Sequence, residues 1–153
     1  MPGDRTFMMG KHPAPLPGEL LYARNHMWAR GAEGRLRFGF SAYAIRLMQD
    51  VYFLEWHLNP GDAARESELI GHIETSKAVS DLFAPLAGTV TAFNEALLSD
   101  PSGINVSGYS AWLFEIEGGA DGLLTVDGYY QYLDENWEKT QRHIKGKINT
   151  DED

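Results

Sequence analysis

At 153 residues and 43% hydrophobic content, the chain is sized for one compact domain, and no apolar run approaches the roughly 18–20 residues that a membrane span needs. A formal charge of −9 opposes a nucleic-acid-binding surface, which depends on Lys and Arg neutralising phosphates. Cysteine is absent, which excludes disulfides, thiolate metal sites and cysteine nucleophiles, so thiol chemistry would have to arrive on a cofactor.

Residues 1–19 carry Pro2, Pro13, Pro15 and Pro17 among glycines and polar residues, which predicts an extended lead-in without a packed element. Asp4 and Arg5 interrupt any apolar signal-peptide core, so a cytoplasmic protein with no membrane contact is expected. A single domain is placed over 20–148. From Tyr22 to Ile116, short apolar or alternating runs predict strands: Arg35 to Phe40, Val51 to Trp56, Leu69 to Ile73, Gly88 to Ala92 and Ala111 to Ile116. Turns are expected at Gly31 and Gly34, at Pro60 and Gly61, and at Gly103 and Gly108. Between the strands, Ser41 is placed as the N-cap of a short helix near 41–49 that carries Ala42, Ala44, Ile45, Leu47 and Met48. Asp127 is placed as the cap of a C-terminal helix near 127–145, in which Tyr129, Leu133 and Trp137 form a core-facing stripe. Arg142, Lys145 and Lys147 lie toward the end of that helix, Gly146 is its expected stop, and 149–153 reads as a frayed tail. The fold class that results is mainly β, a barrel-sandwich hybrid in the form of a flattened β-sandwich with two helices.

The informative stretch runs from Gly71 to Gly88: Gly71-His72-Ile73-Glu74-Thr75-Ser76-Lys77-Ala78-Val79-Ser80-Asp81-Leu82-Phe83-Ala84-Pro85-Leu86-Ala87-Gly88. Two extended runs flank Ser76 and Lys77, which predicts a hairpin with the lysine at its tip, although no Asn-Gly or Asp-Gly pair marks the turn. A lone loop lysine is ordinarily just solvated. This stretch, however, resembles the lipoylation segment of glycine-cleavage H proteins, in which a Glu stands three residues before the modified lysine and Ala, any residue, Ser and Asp follow it. Gly61 and Gly88, sixteen residues before and eleven after Lys77, match lipoyl domains generally. Further likeness lies in Tyr22-Ala23-Arg24-Asn25-His26-Met27-Trp28, in Gly39-Phe40-Ser41-Ala42-Tyr43-Ala44, and in Asn94-Glu95-Ala96-Leu97 with Gly108 to Trp112.

The resemblance implies a non-enzymatic carrier, expected as a monomer, with lipoate amide-linked to Lys77. Glu74 and Asp81 would then serve as marks for the attaching lipoate-protein ligase or lipoyl transferase, or as contacts of the arm. The family pattern also has departures. Met27 replaces the Glu of His-Glu-Trp, Leu47 stands where some members have His, Leu-Gly-Asp reads Met48-Gln49-Asp50, and the Asn, then Pro-Tyr-Gly, loop reads Asn105-Val106-Ser107-Gly108-Tyr109. With Met27 and Leu47 lining the arm's cleft, an ammonium-bearing adduct would lose its polar partners. The favoured expectation is therefore an H-like lipoate-binding protein of bacterial sulfur oxidation, partnered by a heterodisulfide-reductase-like complex. The alternative is a glycine cleavage H protein carrying the aminomethyl group among the glycine cleavage enzymes. A biotinyl carrier fits less well, since Ser76 and Ala78 replace the Met residues that flank a biotin lysine, and an unmodified interaction module is a third class.

The other signals are weaker. His12, His26, His57, His72 and His143 show no ligand spacing along the chain, so no metal site is expected. His26 reads as structural or cleft-lining. Ser41 lacks the second glycine of a nucleophile elbow, and Asn105-Val106-Ser107 is a glycosylation sequon by pattern alone.

Overall fold

The strands are short, and several of the turns between them carry glycine. A computed structural model describes residues 3–32 and 34–148. In chain order the elements are β1 (Arg5–Met9), β2 (His12–Leu16), β3 (Leu21–Tyr22), β4 (Met27–Ala32), β5 (Arg35–Phe40), α1 (Ala42–Met48), β6 (Val51–Trp56) and β7 (Ala63–Ala64). They continue with β8 (Leu69–Thr75), β9 (Val79–Phe83), β10 (Gly88–Phe93), α2 (Glu95–Ser99), α3 (Gly103–Ser107), a 3-10 turn over Gly108–Ser110, β11 (Phe114–Glu117) and α4 (Val126–Ile148).

Three sheets result. One has the order β3-β4-β5-β11-β10-β7, a second the order β6-β8-β9, and β1 pairs with β2 alone. The six- and three-stranded sheets share one apolar core, because alternate residues of each point at the other. Phe38, Phe114, Ile116 and Val90 come from the larger sheet, and Val51, Leu54, Ile73 and Leu82 from the smaller. This is the expected mainly β, flattened sandwich.

A second core lies outside the sandwich and corrects the reading of residues 1–19 as an unpacked lead-in. β1 and β2 form a hairpin that buries Phe7, Met9, Ala14 and Leu16. Its prolines, Pro13 and Pro15, occupy the exposed alternate positions of a strand with a free edge, where a missing N–H costs little. Phe7 meets Tyr43 of α1 and Tyr130 and Trp137 of α4 edge-on at centroid distances of 5.9, 5.6 and 5.7 Å. The Arg5 guanidinium donates to Asp127 at 2.8 Å. Tyr129 and Leu133 are buried and Trp137 is half-buried, so the stripe on α4 faces this core.

Several boundaries differ from expectation. Thr125, not Asp127, caps α4: its Oγ1 accepts from the Gly128 N–H at 3.2 Å, leaving Asp127 in the first turn. The helix passes Gly146 and reaches Ile148, because one glycine weakens a helix without ending it. Gly31 lies within β4 and Gly103 within α3, whereas Gly34, Gly61 and Gly108 take positive φ angles at turns. The run from Ala111 enters its strand only at Phe114, after the 3-10 turn. The tail at 149–153 lies outside the described residues.

Candidate functional site

β8 and β9 run antiparallel with Glu74 opposite Val79, and the chain reverses through Ser76, Lys77 and Ala78. Lys77 is therefore at a hairpin tip. The turn lacks the usual glycine because Thr75 replaces that chemistry with a side chain. Its backbone N–H donates to the Ala78 carbonyl at 2.9 Å, and its Oγ1 accepts from the N–H groups of Lys77 at 3.1 Å and Ala78 at 3.3 Å. The hydroxyl proton is directed at the Ala78 carbonyl at 3.3 Å. Thr75 is only 7% exposed, so this brace is shielded from water, while Lys77 beyond it is exposed. No hydrogen bond or ion pair holds the Lys77 ammonium among the described residues. The result is a fixed backbone bearing a free, long side chain.

The tip is also anchored from below. Ser76 N–H donates to the Asp50 carbonyl at 2.9 Å, just after α1. There Gln49 takes a left-handed φ of 64°, and Asn105 of α3 holds the bend from both sides. The Asn105 amide donates to the Gln49 carbonyl at 2.8 Å, and its Oδ1 accepts from Val51 N–H at 2.9 Å. Thr75 and Asn105 are the supporting residues that sequence reasoning missed. Asn105 was visible only as a match to the family's loop, and no pattern around Thr75 announces its role.

Ser41 is the N-cap of α1, as expected, its Oγ accepting from Ala44 N–H at 3.2 Å. The same hydroxyl lies 2.9 Å from the Tyr129 hydroxyl, which in turn lies 2.9 Å from His26 Nδ1. Burial lowers the His26 pKa to about 4 and pushes the Tyr129 phenol well above its ordinary value. With His26 neutral, the Tyr129 hydroxyl bridges the Ser41 hydroxyl and the His26 ring. It ties β4 and α1 to α4, so His26 is structural. Tyr109 ties α1 to the N-terminal hairpin: its hydroxyl donates to the Pro15 carbonyl at 2.6 Å and accepts from Ala42 N–H at 3.0 Å, and burial pushes its pKa up to about 12.

The predicted site residues separate into two groups. Glu74 and Asp81 fall on the same outer face of the β6-β8-β9 sheet, since Glu74 pairs with Val79 and Asp81 with His72. They flank the approach to Lys77. Met27 and Leu47 are not brought together. Met27 is 1% exposed in the sandwich core, whereas Leu47 packs half-buried against the second core around Phe7 and Leu16. An open cleft lined by both is not what the fold builds. A small cavity of about 90 Å³ between Asn25, Phe83 and Leu123 includes neither. The outer face does bring together Glu55, His57 and His72, which lie apart in the sequence.

A flattened β-sandwich with an exposed lysine on a braced hairpin tip has the form that a covalent cofactor carrier requires. A family model described as glycine cleavage H-protein matches residues 20–135. Glycine cleavage system H proteins of Nitrosomonas eutropha and Listeria monocytogenes are 37% and 36% identical over 124 residues, which is 78% of this chain and 95% and 98% of theirs. The crystal structure of a glycine cleavage system H protein from Mycobacterium marinum superposes with a TM-score of 0.67 at 30% identity, covering 79% of this chain and 98% of that one. The chain belongs to the glycine cleavage H-protein family, whose members are non-catalytic carriers of lipoate bound covalently to a lysine. The hairpin of β1 and β2 precedes the matched region. Among the described residues no helix is long and apolar enough to cross a membrane.

Proposed function

We propose that Lys77 is the lipoate-bearing lysine and that the chain serves as the aminomethyl carrier among glycine cleavage enzymes. One observation carries the assignment of Lys77: an exposed, unpaired lysine at a tip whose backbone Thr75 and Asp50 hold rigid. A carrier needs this combination, because the arm must leave and re-enter partner sites while the fold beneath it stays in place. Glu74 and Asp81, on the face beside the tip, are the marks read by the lipoate-protein ligase or lipoyl transferase. The relatives named above are glycine cleavage H proteins, which supports aminomethyl carriage better than the sulfur-oxidation role preferred from the sequence.

Incubation with ligase, lipoate and ATP should add the mass of one lipoyl group to the unmutated chain and none to Lys77→Arg. Aminomethyl loading beside an established H protein then tests the cargo. A second reading, a carrier of an apolar or sulfur-bearing group for a heterodisulfide-reductase-like partner, is favoured by one observation. The position of the family's Glu holds Met27, so a carboxylate that could pair with an ammonium-bearing adduct is missing there, while Met27 itself is enclosed in the core and does not touch the arm. Loading and adduct lifetime equal to those of the established H protein would exclude that second reading.

A further inference from the structure

We propose that Glu55, His57 and His72 form a binding site for a divalent transition cation, zinc above all, on the outer face of the β6-β8-β9 sheet. This site is independent of the assignment of Lys77. In the ladder, Glu55 lies directly opposite His72. His57 N–H donates to the Ile70 carbonyl at 2.8 Å, which continues the pairing one step past β6 and returns His57 to the same face as Glu55. Residues 15 apart in sequence thereby meet: His57 Nε2 lies 3.4 Å from His72 Nδ1.

That separation is long for a hydrogen bond, but it suits two ligands of one ion. Zinc–nitrogen bonds of about 2.0–2.1 Å at a tetrahedral angle place the two nitrogens about 3.3–3.4 Å apart. One donor atom from each of the three residues falls within 4.8 Å of the other two, and the Glu55 carboxylate, which lies 3.6 Å from His72 Nε2, completes a His-His-Glu set by rotating toward the Nδ1 side of the ring. A fourth position stays open to water or an outside ligand. Two imidazoles with a single carboxylate select zinc, nickel, cobalt or copper over calcium and magnesium, which require mostly oxygen.

The surroundings support the ring that matters. His72 Nε2 lies 3.6 Å from Glu55 and 3.9 Å from Glu74, so once Glu55 turns to the ion at Nδ1, Glu74 is the carboxylate left to close on the Nε2–H, and the Phe53 ring packs 5.4 Å from the imidazole. A bound cation would clamp β6 to β8, the strand that leads into Lys77.

The test is calorimetric titration of zinc chloride into the full-length chain purified without lipoate, so that no dithiol competes. One zinc per chain is expected, with micromolar affinity. His57→Gln and His72→Gln should each weaken it by about tenfold or more, while His12→Gln should leave it unchanged. Imidazole NMR resonances of the unmutated protein give a second readout that requires no variant: those of His57 and His72 should shift on adding zinc. The proposal is overturned by absence of saturable binding below millimolar zinc, by full affinity in both glutamine variants, by an equal loss in His12→Gln, or by shifts confined to other histidines.

Discussion

Thr75→Val replaces one hydroxyl in the turn beneath Lys77 with a methyl group of similar size. The hydroxyl accepts from two backbone N–H groups at 3.1 and 3.3 Å and points its own proton at the Ala78 carbonyl. The main-chain bond from Thr75 N–H to that carbonyl, at 2.9 Å, survives in the variant. Net values of about 0.5–1.5 kcal/mol per hydrogen bond apply. These contacts are long, and the exposed Lys77 N–H can turn to water, so the whole loss should be about 1–2 kcal/mol. For a chain of this size that corresponds to a fall of about 2–8 °C in Tm. The tip would also lose its fixed geometry, so the rate of ligase-catalysed lipoylation at Lys77 should drop more than stability alone explains. Thr75→Ser keeps the hydroxyl and should retain most of both. Denaturant midpoints and lipoylation time courses on the three proteins decide the matter. If Thr75→Val lipoylates and unfolds like the unmutated chain, or if Thr75→Ser loses as much as Thr75→Val, the hydroxyl is not the brace.

Lys77→Arg should abolish lipoylation with no measurable loss of stability, because the side chain is exposed and guanidinium is not acylated; intact mass and thermal melting read the two effects separately. Gly88→Val would bring a β-carbon within 2.5 Å of the Glu117 carbonyl oxygen and should cost about 1–3 kcal/mol. Gly61→Ala, at φ +99° with open space around it, should cost about 1 kcal/mol through backbone strain alone; unchanged urea midpoints in both variants would contradict these glycine roles. His26 titrates at about 4 when folded against 6.5 when unfolded. Between those values the unfolded chain binds the extra proton, so this contribution is complete above about pH 6.5 and is lost on acidification toward pH 4, by at most about 3 kcal/mol. His26→Asn, which tolerates the left-handed φ of 72°, removes that titration. The stability gap between it and the unmutated chain should narrow as pH falls, and a gap constant with pH would show that His26 is not the titrating group.

The residues that belong to one local pattern were legible in the sequence. The strands Arg35–Phe40 and Val51–Trp56 and the Ser41-capped helix match the structure, since alternation and capping depend only on near neighbours. The hairpin around Lys77 was legible through spacing, and so was the core-facing stripe of Tyr129, Leu133 and Trp137 on α4. Long-range pairing was not. The prolines of residues 1–19 suggested a segment without packing, because composition does not say that the exposed alternate positions of a free-edged strand tolerate them. Met27 and Leu47 were assigned to one cleft by their places in a family pattern, yet β4 turns Met27 into the sandwich core while α1 holds Leu47 against the N-terminal hairpin. Asn105 meets Gln49 and Val51 across more than fifty residues of chain, and His57 meets His72 only because the register of β6 on β8 puts them on one face. The identity and spacing of residues determine which elements form and where a modifiable lysine stands. The register and the packing of sheets against helices, set by burial of the whole core, decide which distant side chains become neighbours.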